Sequence, residues 1–254
     1  MLHYTIHGNQ HVPTVVLLHG FLSDSEYWKP LVPMLTKTHR VIAIDLLGFG
    51  ASKKPHTSDY SLTTHTRAVQ DTLEHLGVRH FSLAGHSMGA LVAGNLAHAM
   101  VDSVEKLVLF NMPLFNSHHQ ARESFKKTSP LYRAMLYSPV GRVGWPVLKR
   151  AAATKAIRRA APRSLRPIIK AAATNTHASR SKSLRNTIER TDAMLLLQSL
   201  AVPTNLIQGT HDRTVYRKNL IRTELPPNIL VEWVATGHHT PLKLLEFSKE
   251  RITQ

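Results

Sequence analysis

Apolar and polar positions divide this chain into two rhythms. Thr14-Val15-Val16-Leu17-Leu18 and Arg40-Val41-Ile42-Ala43-Ile44-Asp45 are nearly continuous apolar runs, the pattern of strands covered on both faces of a parallel sheet. Between them Glu26 to Lys37 reads as a helix, and Leu62 to Leu76 reads as another that stops at Gly77. A further short run, with Phe81, Leu83 and Ala84, leads into a small-residue helical stretch from Ala90 to Ala99. Glu105 to Phe110 supplies the next strand, and Asn111-Met112-Pro113 marks a break.

Beyond that break the pattern changes. Residues 114–190 hold no convincing strand, are punctuated by Pro130, Pro139, Pro146, Pro162 and Pro167, and are otherwise rich in alanine, lysine and arginine, which predicts several short helices. Strand rhythm returns at Thr204 to Gln208 and Ile229 to Ala235, with a helix near Tyr216 to Thr223 between them and a closing helix from Pro241 to Ile252. Strands alternating with helices predict an α/β fold, a doubly wound and mostly parallel sheet, interrupted by a helical insertion of about 75 residues. Core segments 1–112 and 193–254 then flank an inserted unit at 113–192.

The charge is distributed in the same way. The chain has 254 residues and a net charge of +16, which first suggests a nucleic-acid partner. Divided along the sequence, residues 1–112 carry 8 Lys and Arg against 8 Asp and Glu, residues 113–192 carry 17 against 3, and residues 193–254 carry 7 against 5. The basicity therefore belongs to the insertion and not to the sheet. Length suffices for one sizeable core. No stretch has the apolar length of a membrane span, and the first residues show no basic region followed by an apolar one, so the expected location is the cytoplasm. The absence of cysteine excludes disulfides, a thiolate zinc site and a cysteine nucleophile.

Candidate chemistry lies at the strand ends. Gly85-His86-Ser87-Met88-Gly89 stands between a strand and a helix, the context in which G-x-S-x-G presents a serine on a sharp turn. A serine hydroxyl needs a base, a group to orient that base, and donors for an oxyanion. Asp212, in Gly209-Thr210-His211-Asp212, and His238, in Ala235-Thr236-Gly237-His238-His239, occupy loops after the last two strands and follow Ser87 in the order Ser, Asp, His. His239 is the rival base. The alternative carboxylate position after the Glu105 to Phe110 strand holds Asn111. Backbone donors are expected at Met88 and, in the loop opened by His19-Gly20-Phe21, at Phe21. Nothing in the pattern calls for a cofactor or a metal.

His19-Gly20-Phe21, Asp45-Leu46-Leu47-Gly48-Phe49-Gly50-Ala51-Ser52, Gly85-His86-Ser87-Met88-Gly89, Gly209-Thr210-His211-Asp212 and Gly237-His238 occur in the order in which the α/β-hydrolase superfamily carries its motifs, and the chain resembles that superfamily over nearly its whole length. The resemblance implies Ser87 as nucleophile, His238 rather than His239 as base, Asp212 as its orienter, Asp45 to Ser52 as a structural turn, and residues 113–192 as a cap or lid. It implies a small-molecule acyl substrate, an ester or thioester. Relatives that open epoxides or displace halide use aspartate where Ser87 stands. Some relatives cleave carbon–carbon bonds or catalyse eliminations with the same residues, and His19-Gly20-Phe21-Leu22-Ser23 with Trp28 also looks like the menaquinone-pathway lyase. A lyase or carbon–carbon bond hydrolase is kept as the minor alternative, because Ala90, Leu91 and Val92 follow Gly89 where that lyase carries an arginine.

Phe115, Phe125, Leu131, Tyr132, Met135, Leu136, Tyr137 and Trp145 are candidates for packing the cap and for lining an acyl pocket. Residues 146–192 contain no Phe, Tyr or Trp, so they lack the stacking groups of a single-strand nucleic-acid platform and the apolar face of an interfacial helix. Lys149, Arg150, Lys155, Arg158 and Arg159 spread around most of a helical wheel. The readings, in order, are a solvated charged surface, weak attraction to anionic lipid or an acidic substrate, and last a nucleic-acid partner. A non-catalytic binding module that docks through this cationic cap is the alternative from a different class.

Overall fold

The computed structural model describes residues 1–128, 154, 174–212 and 216–254. The cap candidates Leu131, Tyr132, Met135, Leu136, Tyr137 and Trp145, and the cations Lys149, Arg150, Lys155, Arg158 and Arg159, lie outside the described residues.

Seven strands form one sheet: β1 (Tyr4–His7), β2 (Thr14–Leu18), β3 (Arg40–Ile44), β4 (Phe81–His86), β5 (Val104–Phe110), β6 (Thr204–Gly209) and β7 (Ile229–Val234). Their spatial order is β1-β3-β2-β4-β5-β6-β7. All neighbours pair in parallel except β1, which runs antiparallel to β3 with Tyr4 opposite Ile44. This is the expected α/β, mostly parallel sheet.

Side chains of period two divide the core between the sheet's faces. Val16 and Leu18 of β2, Ile42 and Ile44 of β3, and Leu107 and Leu109 of β5 join one apolar cluster with Val69, Leu73, Leu91 and Leu96. Their alternates Val15, Leu17, Val41, Ala43, Val108 and Phe110 join the other with Trp28, Leu31, Leu35 and Ile252. Two buried faces explain why the strands read as unbroken apolar runs and not as alternation.

The helices α1 (Val32–Leu35), α2 (Leu62–His75) and α3 (Met88–Ala99) connect the first strands. The helix expected over Glu26 to Lys37 is instead a 3-10 turn at Ser25–Trp28 followed by the short α1. Pro30 lies between them and cannot continue a helix, whereas Pro33 falls in the first turn of α1, where its missing N–H costs nothing. In the middle segment come α4 (His118–Thr128), α5 (His177–Ser183) and a π-helical turn at Leu184–Ile188. Next are α6 (Ala193–Gln198) and α7 (Arg217–Ile221), and the closing helix is divided into α8 (Thr240–Lys243) and α9 (Leu245–Thr253). No described helix is long and apolar enough to cross a membrane.

β5 and β6 are adjacent in the sheet although the middle segment separates them in sequence. The described ends of that segment also meet. His118 Nε2 stands 2.9 Å from Glu189 Oε2, and Ala193 N donates to Phe115 O at 2.8 Å. The chain thus leaves and re-enters the sheet at nearly one point. On return it packs against α2 and the loop before it: Leu184 and Ile188 join the first apolar cluster, Thr187 Oγ1 donates to Tyr60 O, and His65 Nε2 meets Ser183 Oγ at 3.1 Å.

His65 is fully buried at this junction, and its Nδ1 has no hydrogen-bond partner. Burial first, and then the neighbouring His19, push its pKa from the ordinary 6.5 down to about 3. The unfolded chain accepts this proton near 6.5 and the folded one only near 3, so the stability contributed by neutral His65 is complete above 6.5 and declines as pH falls from there toward 3. The His65→Gln variant is expected to lose less melting temperature than the native chain between about pH 7.5 and about pH 4.5. Calorimetry at the two pH values checks this, and parallel losses would contradict the assignment.

Candidate active site

Four neighbouring strands deliver one polar side chain each to the same edge. β4 ends at His86, and Ser87 follows with φ 53° and ψ −118° as the cap of α3. A non-glycine residue in that region costs about 1–3 kcal/mol and persists only where its surroundings hold it. They do so by proximity. A methyl group on Gly85 would strike the Gly89 carbonyl, and one on Gly89 would strike the Leu18 and His19 carbonyls. Ser87 N also donates to Phe110 O at 2.9 Å, fixing the turn to β5.

The loop after β2 closes over the same point. A methyl on Gly20 would lie 2.8 Å from His86 Nδ1 and 3.2 Å from Ser87 Cβ. Buried His19 holds this loop: its Nδ1–H donates to Gly20 O at 2.8 Å, and its Nε2 accepts the Leu46 N–H at 2.9 Å, which assigns the tautomer. Phe21 follows, packed on Phe49 edge-on. Met88 opens α3, where the first N–H groups have no acceptor within the helix. Met88 thus directly follows Ser87, and the loop that carries Phe21 approaches Ser87 at Gly20.

Behind that loop Asp45 binds the chain together. Its carboxylate accepts from Ser25 N at 2.6 Å and Ala51 N at 2.8 Å and meets His3 Nδ1 at 2.9 Å. Burial opposes its charge, but these N–H groups prevail and hold its pKa below the ordinary value. The Asp45 to Ser52 segment is thus a structural turn.

His238, after β7, points Nε2 at Ser87 Oγ, 3.0 Å away, and Nδ1 at Asp212 Oδ2, 2.7 Å away. The Asp212 side chain is fully buried, while the His238 side chain is about a quarter exposed. Carboxylate oxygens accept, so Nδ1 carries the hydrogen and the Nε2 lone pair faces the serine hydroxyl. Ser87, His238 and Asp212 are thereby brought together. His239, the rival, is exposed, and its Nδ1 lies 3.5 Å from Tyr27 Oη.

Two groups at this edge carried no assigned role in the sequence. Asn111, at the end of β5 with φ 49°, is fully buried. Its Nδ2 donates to Asp212 Oδ2 at 2.9 Å and to Gly237 O at 3.2 Å, and its Oδ1 accepts from Thr240 N at 3.3 Å. The residue that occupies the alternative carboxylate position thus holds the Asp212 carboxylate. Asparagine's tolerance of positive φ was the available signal. His86 is the second: buried, with Nε2 2.6 Å from His238 O. Burial, then the neighbouring His238, hold its pKa well below the ordinary value, so it is neutral. Among the described residues no group of three or more His, Cys, Asp or Glu side chains could hold a metal ion.

A family model described as alpha/beta hydrolase fold matches residues 13–243. The probable lysophospholipase BODYGUARD 3 of Arabidopsis thaliana is 35% identical over 106 residues, 40% of this chain and 21% of that protein. Epoxide hydrolase 3 of Xenopus tropicalis is 32% identical over 118 residues, 46% of this chain and 32% of that protein. Each match thus spans less than a third of the relative's length. The enol-lactonase of Burkholderia xenovorans LB400 superposes with a TM-score of 0.74 over 98% of this chain and 94% of its own, at 22% identity, a likeness of fold.

Replacing Asn111 by glycine keeps the positive φ accessible and removes the bonds to Asp212, Gly237 and Thr240. Unfolding free energy is expected to fall by about 1.5–3 kcal/mol, the range for hydrogen bonds to a charged group. Denaturant titration measures this, and native stability in Asn111→Gly would show that those bonds do not hold the edge together.

Proposed function

The chain belongs to the α/β-hydrolase fold family, and from that premise we propose that it is a serine hydrolase cleaving carboxylic esters or thioesters through an acyl-enzyme. The observation that carries this reading is the relay from Ser87 Oγ through His238 to Asp212, with contacts of 3.0 and 2.7 Å.

His238 Nε2 takes the hydroxyl proton as Ser87 Oγ attacks the substrate carbonyl. The oxygen that becomes negative is held by the N–H groups of Met88 and Phe21, and the α3 N-terminus adds its partial positive charge. Collapse of the tetrahedral species breaks the bond to the leaving alkoxide or thiolate, which receives the proton from His238. Water, deprotonated by His238, then attacks the acyl-serine, and the acid leaves as Ser87 Oγ takes that proton back from His238. Asp212 keeps the imidazole in the Nδ1–H tautomer and balances the imidazolium formed in each half.

The nucleophile's identity favours this chemistry over epoxide opening. Attack of Ser87 on an epoxide carbon would leave an alkyl ether, with no carbonyl for water to attack, whereas an aspartate at that position would leave a hydrolysable ester. Similarity to an epoxide hydrolase over part of the chain therefore does not extend to its reaction. Residues 113–192 are assigned as the cap over this edge, consistent with an insertion that departs after β5 and returns beside it. Their excess of cations would attract an acidic substrate or an anionic lipid surface.

A fluorophosphonate probe is expected to label the native chain and to leave Ser87→Ala unlabelled. With a chain-length panel of p-nitrophenyl esters, Ser87→Ala and His238→Ala should each lower kcat by about 10⁴-fold or more, and His239→Ala by less than about threefold. Labelling that survives Ser87→Ala would overturn the proposal. A native chain without label or turnover, but with salt-sensitive retention on anionic liposomes, would favour the binding-module reading instead.

A further inference from the structure

His86 precedes the proposed nucleophile and takes no part in the steps above, yet its ring lies against the loop of His238 and the loop of Gly20. Its Nε2 is 2.6 Å from the backbone carbonyl of His238. Because a carbonyl only accepts, Nε2 carries the hydrogen, and Nδ1 is a bare lone pair without a hydrogen-bond partner, turned toward Gly20 at closest approach. One face of the ring is covered by Tyr27, stacked at 4.6 Å with 13° between planes. The His86 and His238 ring centroids are 4.9 Å apart.

We infer that His86 is a positioning residue for the reaction at Ser87: its Nε2–H fixes the peptide of His238, and its ring sets the separation between the base loop and the oxyanion loop. The inference rests on the serine-hydrolase reading. Asp212 restrains the His238 side chain from its Nδ1 end, but a side chain so held can still swing if its own backbone shifts. The bond from His86 restrains that backbone, and because His86 is the residue before Ser87, base and nucleophile share one rigid spacer. The ring is neutral, so it adds no like charge beside His238 when that group becomes an imidazolium. Gly20 and Tyr27 leave the ring no alternative place: a side chain at Gly20 would collide with Nδ1, and the stack fixes the ring's plane.

Two substitutions separate positioning from space filling. His86→Met keeps an unbranched side chain of similar volume and removes the donor, whereas His86→Gln retains an N–H near the former Nε2. With p-nitrophenyl acetate as the probe, His86→Met is expected to lower kcat about 10- to 100-fold with KM changed by less than about threefold, the pattern of lost orientation. The low-field proton resonance of His238 Nδ1–H should broaden or shift in that variant. His86→Gln should recover kcat to within about threefold of the native value. If His86→Met does not fold, His86→Asn takes its place, since its amide is too short to reach the His238 carbonyl. Native kcat in the donor-less variant, or equal losses in the Gln and donor-less variants, would overturn the inference. Turnover that survives Ser87→Ala would instead remove the reading beneath it.

Discussion

Backbone crowding at Gly85, Ser87 and Gly89 is the constraint on which the rest of the structure depends. Ser87 is held at a positive φ between a strand and a helix, and it can be held there only because neither flanking glycine carries a side chain. The same closeness sets the packing of β4 and α3 on β2, since Gly89 lies against the carbonyls of Leu18 and His19. The sheet's continuity offsets the local strain: β4 is central, paired on both sides by parallel neighbours. With that turn fixed, the loops after β2, β6 and β7 need only short reaches to surround the hydroxyl.

Around this turn, histidines serve more as neutral hydrogen-bonding parts than as charges. His19 holds the loop after β2 through Gly20 O and Leu46 N, His65 joins α2 to the returning middle segment, and His86 joins the serine turn to the His238 peptide. His65 and His86 lie where burial opposes protonation. An imidazole supplies one donor and one acceptor on a rigid frame; His19 uses both to bridge two backbone groups, whereas His65 and His86 each bond through Nε2. His238 differs in being partly exposed, with its Nε2 aimed at Ser87 Oγ.

Much of this was legible in the sequence because both the sheet and the site are written in local patterns. Doubly buried strands produce apolar runs, so β2, β3, β4 and β5 could be read directly, and a serine turn demands small neighbours at fixed spacing. β1 escaped notice because an edge strand of four residues with half its positions exposed carries no such run. The helix expected over Glu26 to Lys37 broke because apolar spacing said nothing of Pro30's missing donor. Asn111 and His86 act through contacts with residues more than a hundred positions away. Beyond asparagine's tolerance of positive φ, nothing local distinguishes an asparagine or histidine that makes such contacts from one that does not.

The proposed triad has an order in time as well as in space. Ser87 and the His238 imidazole are 151 residues apart in sequence, and their contact requires β7 to have paired with β6 beside the completed strands. During synthesis the turn bearing Ser87 emerges long before its partner does. The proposed reactivity would therefore be withheld from the serine turn until β7 has paired with β6 and delivered the imidazole.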